Sequence, residues 1–208
     1  MSNTHLLLFL LTSLVIIAAP GPDNILVLTR GLTLGRRAAL VSAGGAAFGL
    51  LGHSLLAAVG LSALLQRSAG AYGAVKYLGA AYLLFLGVRA FLNREHFALA
   101  GNGAPLGFRR VFTQAVTSNL LNPKIAVFFL AYLPQFIDPS AGGVSLQLPT
   151  FGRVFALLTW GIFSIIAYFS GFLGGWLRRR PQLSQTLGRL TGCAFIILGV
   201  RLALPERR

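Results

Sequence analysis

Two short motifs hold most of the chemistry available to this sequence. Pro20-Gly21-Pro22-Asp23-Asn24 sits in an apolar run that begins at Leu6, and Asn119-Leu120-Leu121-Asn122-Pro123-Lys124 sits in another, far downstream. Pro lacks the N–H donor and clashes with the preceding turn, and Gly adds backbone freedom, so neither run can continue as an unbroken α-helix. Each break carries an ionisable residue, and the two charges are opposite in sign. A charge in the bilayer core costs roughly 2.5–3.5 kcal/mol on insertion scales. Asp23 and Lys124 are therefore expected to face the protein interior and to find each other. A helix break also frees N–H and C=O groups that only neighbouring protein or a filled cavity can satisfy. Together these groups could hold a zwitterion. An ammonium would go to Asp23 and freed carbonyls, and a carboxylate to Lys124 and a half-helix N-terminus. The plainer reading of the same residues is a buried ion pair that joins two halves of the chain. Pro20, Gly21, Pro22 and Pro123 would act as the breaks and gates.

The neighbouring polar residues divide between chemistry and structure. Asn119 and Asn122 share roughly one helical face and suit either substrate contact or capping of the broken helix, and Asn24 is likewise a cap or a ligand. His53 is the only ionisable group within its apolar run. It could carry a coupling proton, since its reference pKa lies near neutrality, or simply hydrogen-bond a neighbouring helix. Asp23 competes with it for the proton role. Tyr82, Tyr132, Tyr168 and Trp160 read as interface anchors or packing. The single Cys193 allows no internal disulfide and reads as core packing. Three His and one Cys, widely spaced, give no metal-ligand pattern. No catalytic triad, zinc set or phosphate loop is visible, so no enzyme, no metal and no cofactor are expected.

The elements that must position these residues are membrane helices. Apolar residue types make up 55% of the 208 residues and charged ones 11%, about half the charged share of soluble domains, and the mean hydropathy is +0.74. The net charge of +14 lies mostly at the ends of apolar runs, with no basic stripe interleaved with aromatics, which argues against nucleic acid as a partner. Six segments reach the length a bilayer requires: Leu6–Leu28, Ala38–Leu65, Ala71–Leu92, Val111–Leu133, Val154–Leu177 and Leu187–Leu204. The first reads as a span and not as a cleaved leader, because residues 1–5 carry no Lys or Arg and a prolyl bond follows Ala19. Lys76 and Arg89 flank the third and are expected to snorkel. Residues 134–153, with three prolines, read as a connection.

The connections between segments 1–2, 3–4 and 5–6 hold the larger share of Lys and Arg, which puts that side in the cytoplasm and both termini outside. Leu86-Gly87-Val88-Arg89 recurs as Leu198-Gly199-Val200-Arg201, and Pro22-Asp23 aligns with Pro123-Lys124. The expected architecture is thus an all-α integral membrane protein of two inverted three-helix repeats, residues 1–92 and 111–208, joined by a linker over 93–110. Inverted repeats of this sort build midplane sites at broken helices. Small residues on the second and fifth helices would permit a homodimer.

These motifs, with Phe128-Phe129, Pro134-Gln135-Phe136 and the third-helix run Leu78-Gly79 through Tyr82 to Gly87, resemble the lysine-exporter superfamily. The branch the chain most looks like is the homoserine/threonine-exporter (LysE/RhtB) type, and the resemblance covers about Leu6 to Leu204. It implies a bacterial inner-membrane exporter of a small amino acid or derivative, driven by the proton gradient, with Asp23, Asn24, Asn122 and Lys124 at the family's motif positions. Many relatives carry an acid seven residues before the fifth-helix tyrosine; here that tyrosine matches Tyr168 and Gly161 takes the acid's place. A cation exporter or channel is the alternative function, though Lys124 would repel a cation, and a non-transporting scaffold is the other.

Overall fold

The computed structural model describes residues 3–67, 69–92, 106–137, 143–173 and 181–204, and among them every regular element is helical. In chain order these are α1 (Asn3–Ala18), α2 (Pro22–Thr33), α3 (Arg36–Arg67), α4 (Ala69–Leu92), α5 (Phe108–Leu120), α6 (Pro123–Val127), α7 (Val144–Tyr168) and α8 (Pro181–Ala203). A π-helical turn, Phe128–Tyr132, and a 3-10 turn, Leu133–Phe136, extend α6.

Both expected breaks occur where the prolines require them. Pro22 opens α2 and Pro123 opens α6 at the first helical positions, where a missing N–H costs nothing. The chain bends by 53° between α1 and α2 and by 49° between α5 and the segment after Pro123. Four unbroken helices are long and apolar enough to cross a membrane, and six spans result if each bent pair counts as one. The chain is therefore an all-α integral membrane protein.

Helix packing sets the site from both sides. α3 lies against α7 and α5, and α4 lies against α8. The approach of α5 to α3 is close enough that a Cβ added at Gly49 would fall 2.8 Å from Asn119 Oδ1 and 3.1 Å from the Val116 carbonyl oxygen. Only a residue without a side chain fits there, as expected of small residues at membrane helix crossings. Beneath the second break an aromatic core forms, with Phe128 stacked on Phe155 at 4.4 Å and Phe9 edge-on to Phe151 at 4.7 Å.

Four expectations need correction. The fifth helix begins at Val144, not Val154, and runs through Pro149; Leu148, Phe151 and Phe155 form one buried face, and packing that face outweighs one lost backbone hydrogen bond. That helix ends at Tyr168, with residues 170–173 helical beyond it; Leu177 lies outside the described residues. Lys76 does not reach for headgroups: it is 9% exposed and donates to the Leu204 carbonyl at 3.2 Å. A cation there meets the negative end of α8. Cys193 is exposed on α8 rather than packed in the core. Tyr132 is fully buried, so of the two roles expected for it packing is the one observed, whereas Trp160 and Tyr168 are half exposed. Most of the linker, residues 93–105, also lies outside the described residues.

Candidate functional site

Where α1 stops at Ala18 its last carbonyls have no intrahelical partner, and where α2 starts at Pro22 its first N–H groups have none. The second break generates the same pair of loose ends between α5 and α6. The side chains the sequence singles out are the ones that meet these groups.

Asp23 is 3% exposed and is the only acidic residue among the described ones. It lies in the first turn of α2, where the helix N-terminus favours a negative charge. Its carboxylate accepts three hydrogen bonds from the other break: Ser118 Oγ at 3.1 Å on Oδ1, then Asn119 Nδ2 at 2.8 Å and Asn122 Nδ2 at 2.9 Å, both on Oδ2. An ionised carboxylate offers about four acceptor positions, so one remains, on Oδ1.

Lys124 is 6% exposed and lies within the electrostatic reach of Asp23, but its hydrogen bonds go elsewhere. Its Nζ crosses to the end of α1 and donates to the carbonyls of Ile16 at 3.3 Å and Ala19 at 3.0 Å. The expected mutual ion pair is thus replaced by a crossed arrangement. The cation sits on the negative helix end and the anion at the positive one, so each charge is balanced by backbone freed at the first break. An ammonium has three N–H donors, and two are engaged.

Gly21 makes the lysine's position possible. A Cβ there would lie 2.8 Å from Lys124 Nζ, 3.4 Å from Cε and 3.8 Å from Asn24 Oδ1. Its backbone is extended, φ −166° and ψ 179°, so the close approach, and not conformational freedom, is the demand met by glycine.

The asparagines take distinct positions. Asn122 caps α6, its Oδ1 accepting from the Lys124 backbone N–H at 3.1 Å while its amide donates to Asp23. Asn24 does not cap its own helix; its Nδ2 donates to the Ile17 carbonyl at 2.9 Å, and its Oδ1 is buried without a partner. Asn119 Oδ1 is likewise buried and unpaired. His53 Nε2 donates to the Asn119 carbonyl at 3.0 Å and its ring stacks on Phe129 at 5.7 Å. A carbonyl only accepts, so that nitrogen carries a proton. The structure therefore brings Asp23, Asn24, Asn119, Asn122 and Lys124 together at the paired breaks, with His53 one residue removed from Asp23 through Asn119.

Two contributors were not singled out as site residues. Ser118 stands one residue before the second motif, and 118, 119 and 122 share the helix face that turns to Asp23. Gln114, on the same helix, accepts from Arg30 Nη2 at the far end of α2, which ties the two broken segments a second time. Among the described residues no group of three His, Cys, Asp or Glu could hold a metal ion.

Two buried charges of opposite sign, each held by a helix break, form a polar centre inside a membrane protein. The family profile described as LysE type translocator matches residues 14–206. The chain belongs to this family. A Vibrio cholerae protein named as an uncharacterized membrane protein is 33% identical over 96% of this chain and 97% of its own length. The homoserine/homoserine lactone efflux protein of Salmonella typhimurium is 31% identical over 94% of each chain. The leucine efflux protein of Enterobacter sp. strain 638 is 28% identical over 90% of each. No solved structure matches the chain. The LysE-type match thus runs from the last part of α1 through both breaks to the end of α8.

Proposed function

We propose that this LysE-family protein exports a small amino acid or amino-acid derivative across the bacterial inner membrane in exchange for protons. One observation carries the reading: Asp23 and Lys124 are buried at the same pair of helix breaks yet not consumed by each other. Each retains one hydrogen-bonding position. An α-amino acid presents the complementary pair. Its carboxylate would take the third Lys124 N–H together with the free backbone N–H groups at the start of α2, those of Gly21, Asp23 and Asn24, Pro22 having none. Its ammonium would take the remaining position on Asp23. Asn119 and Asn122 would hold the Asp23 carboxylate in place for that contact.

Proton coupling follows from competition at Asp23. A proton arriving from outside would neutralise the carboxylate and release the ammonium; on the cytoplasmic side its loss would restore the site. His53, joined to Asp23 through Asn119, is the second candidate carrier. Alternating access would come from two inverted halves rocking about Pro20–Pro22 and Pro123. The pairing of α3 with α7 and of α4 with α8, each helix against its counterpart, supports such halves. The basic connections argue for a cytoplasmic side opposite both termini, and a homodimer remains part of the proposal. The efflux names of the Salmonella and Enterobacter relatives support export as the direction.

The test is efflux of labelled amino acids from loaded cells, with and without a protonophore, for the wild type, Asp23→Asn and Lys124→Met. Export should collapse with the protonophore and in both variants at equal membrane expression. Unchanged export in both variants would sink the proposal.

A further inference from the structure

Beside the break between α1 and α2 lies a cavity of about 120 Å³. Pro20, Leu28, Ile166, Leu173 and Leu187 line it, and Asn24 is the one polar residue among its lining side chains. Asn24 is 8% exposed, and its Oδ1 has no partner. A buried acceptor left unmade is a cost that an N–H of a substrate ammonium at the cavity mouth would remove, leaving the rest of the lining apolar. The polar centre and the cavity meet at this residue. A Cβ added at Gly21 would lie 3.8 Å from Asn24 Oδ1 and 2.8 Å from Lys124 Nζ, which puts both polar atoms on one face of the Gly21 backbone. A molecule whose charged end sits at Lys124 therefore has an apolar recess next to it.

We infer that this cavity receives the substrate's side chain, and that the substrate is an aliphatic α-amino acid. The inference rests on the exporter reading and narrows it. For size, an engineered apolar cavity of about 150 Å³ holds benzene, so this recess suits a hydrocarbon side chain of about three or four carbons. A cationic side chain would find no acid there, because the sole acidic residue described is Asp23, already bonded to three donors. A hydroxyl would lose water and find the one polar lining atom, Asn24 Oδ1, already taken by the ammonium.

The full chain in nanodiscs, with labelled leucine as probe, gives a binding readout separate from transport. Unlabelled competitors would be alanine, 2-aminobutyrate, norvaline, homoserine and lysine. Competition should strengthen by about fourfold per added methylene from alanine to norvaline. Homoserine, close in shape to norvaline, should compete at least about tenfold less well, and lysine least of all. Filling the recess with Ile166→Trp should weaken leucine at least about tenfold while leaving alanine competing. Leu187→Phe, at a half-exposed position on the same wall, repeats the test should the first variant fail to fold. Homoserine or lysine outcompeting norvaline, with export intact, would overturn the aliphatic assignment and leave the exporter standing. Neither binding nor export of any amino acid would overturn both.

Discussion

Gly21→Ala separates the site's chemistry from its fold. The new methyl would lie 2.8 Å from Lys124 Nζ and 3.4 Å from Cε, so the ammonium must retreat by several tenths of an ångström to reach ordinary contact. The backbone at φ −166° accepts alanine without strain, and nothing but a flexible side chain has to move. The retreat lengthens or breaks the bond to the Ala19 carbonyl, now 3.0 Å. A hydrogen bond from a charged group is worth about 1.5–3 kcal/mol, and the loss of glycine's unfolded-state freedom returns about 0.4–1 kcal/mol. The net cost to stability is then about 0.5–2.5 kcal/mol, a moderate fall in thermal midpoint. Substrate binding should suffer more specifically, because the third N–H moves with the ammonium. Losing one charge-assisted contact corresponds to about a tenfold to hundredfold drop in affinity. Efflux normalised to membrane expression, together with leucine binding in nanodiscs, measures the two effects apart. Gly60→Ala is the control, since a Cβ there meets nothing within 4 Å, and it should export like the wild type. Wild-type affinity and export in Gly21→Ala would refute the placement of Lys124 at the substrate carboxylate.

Three further outcomes are expected. His53→Gln keeps a donor for the Asn119 carbonyl and should retain folded yield, whereas His53→Leu should lose about 1 kcal/mol of stability in thermal unfolding; a pH profile of export unchanged in the glutamine variant would assign the coupling proton to Asp23. Gly49→Ala puts a methyl 2.8 Å from Asn119 Oδ1 and should destabilise the α3–α5 crossing by about 1–3 kcal/mol, with loss of export, read by thermal unfolding and efflux. Tyr168→Leu removes the ring beneath the Arg36 guanidinium, 4.0 Å from its centroid, and should cost about 0.5–1 kcal/mol in the same unfolding assay, with Tyr168→Phe near neutral.

The sequence by itself determined the class, the breaks and the cast of residues. Composition alone requires a membrane solvent, and Pro20, Pro22 and Pro123 stop helices through the backbone donors they lack, a local rule that holds in any tertiary context. Asp23 and Lys124 were legible because a charge at a break in an apolar run is costly unless it is used. Only the tertiary structure decided what each charge meets. Their opposite signs suggested a direct pair, but Lys124 turns to the freed Ile16 and Ala19 carbonyls and Asp23 to the side-chain donors Ser118, Asn119 and Asn122 at the other break. The early start of α7 was likewise hidden. Pro149 and the glycines before it signal a loop locally, whereas Phe151 packing on Phe9, far away in sequence, makes the helix worth forming. Lys76 followed the same logic, its partner being a carbonyl at the other end of the chain. Local covalent geometry sets where a helix must stop, and only the packing of distant segments sets which partners its loose ends find.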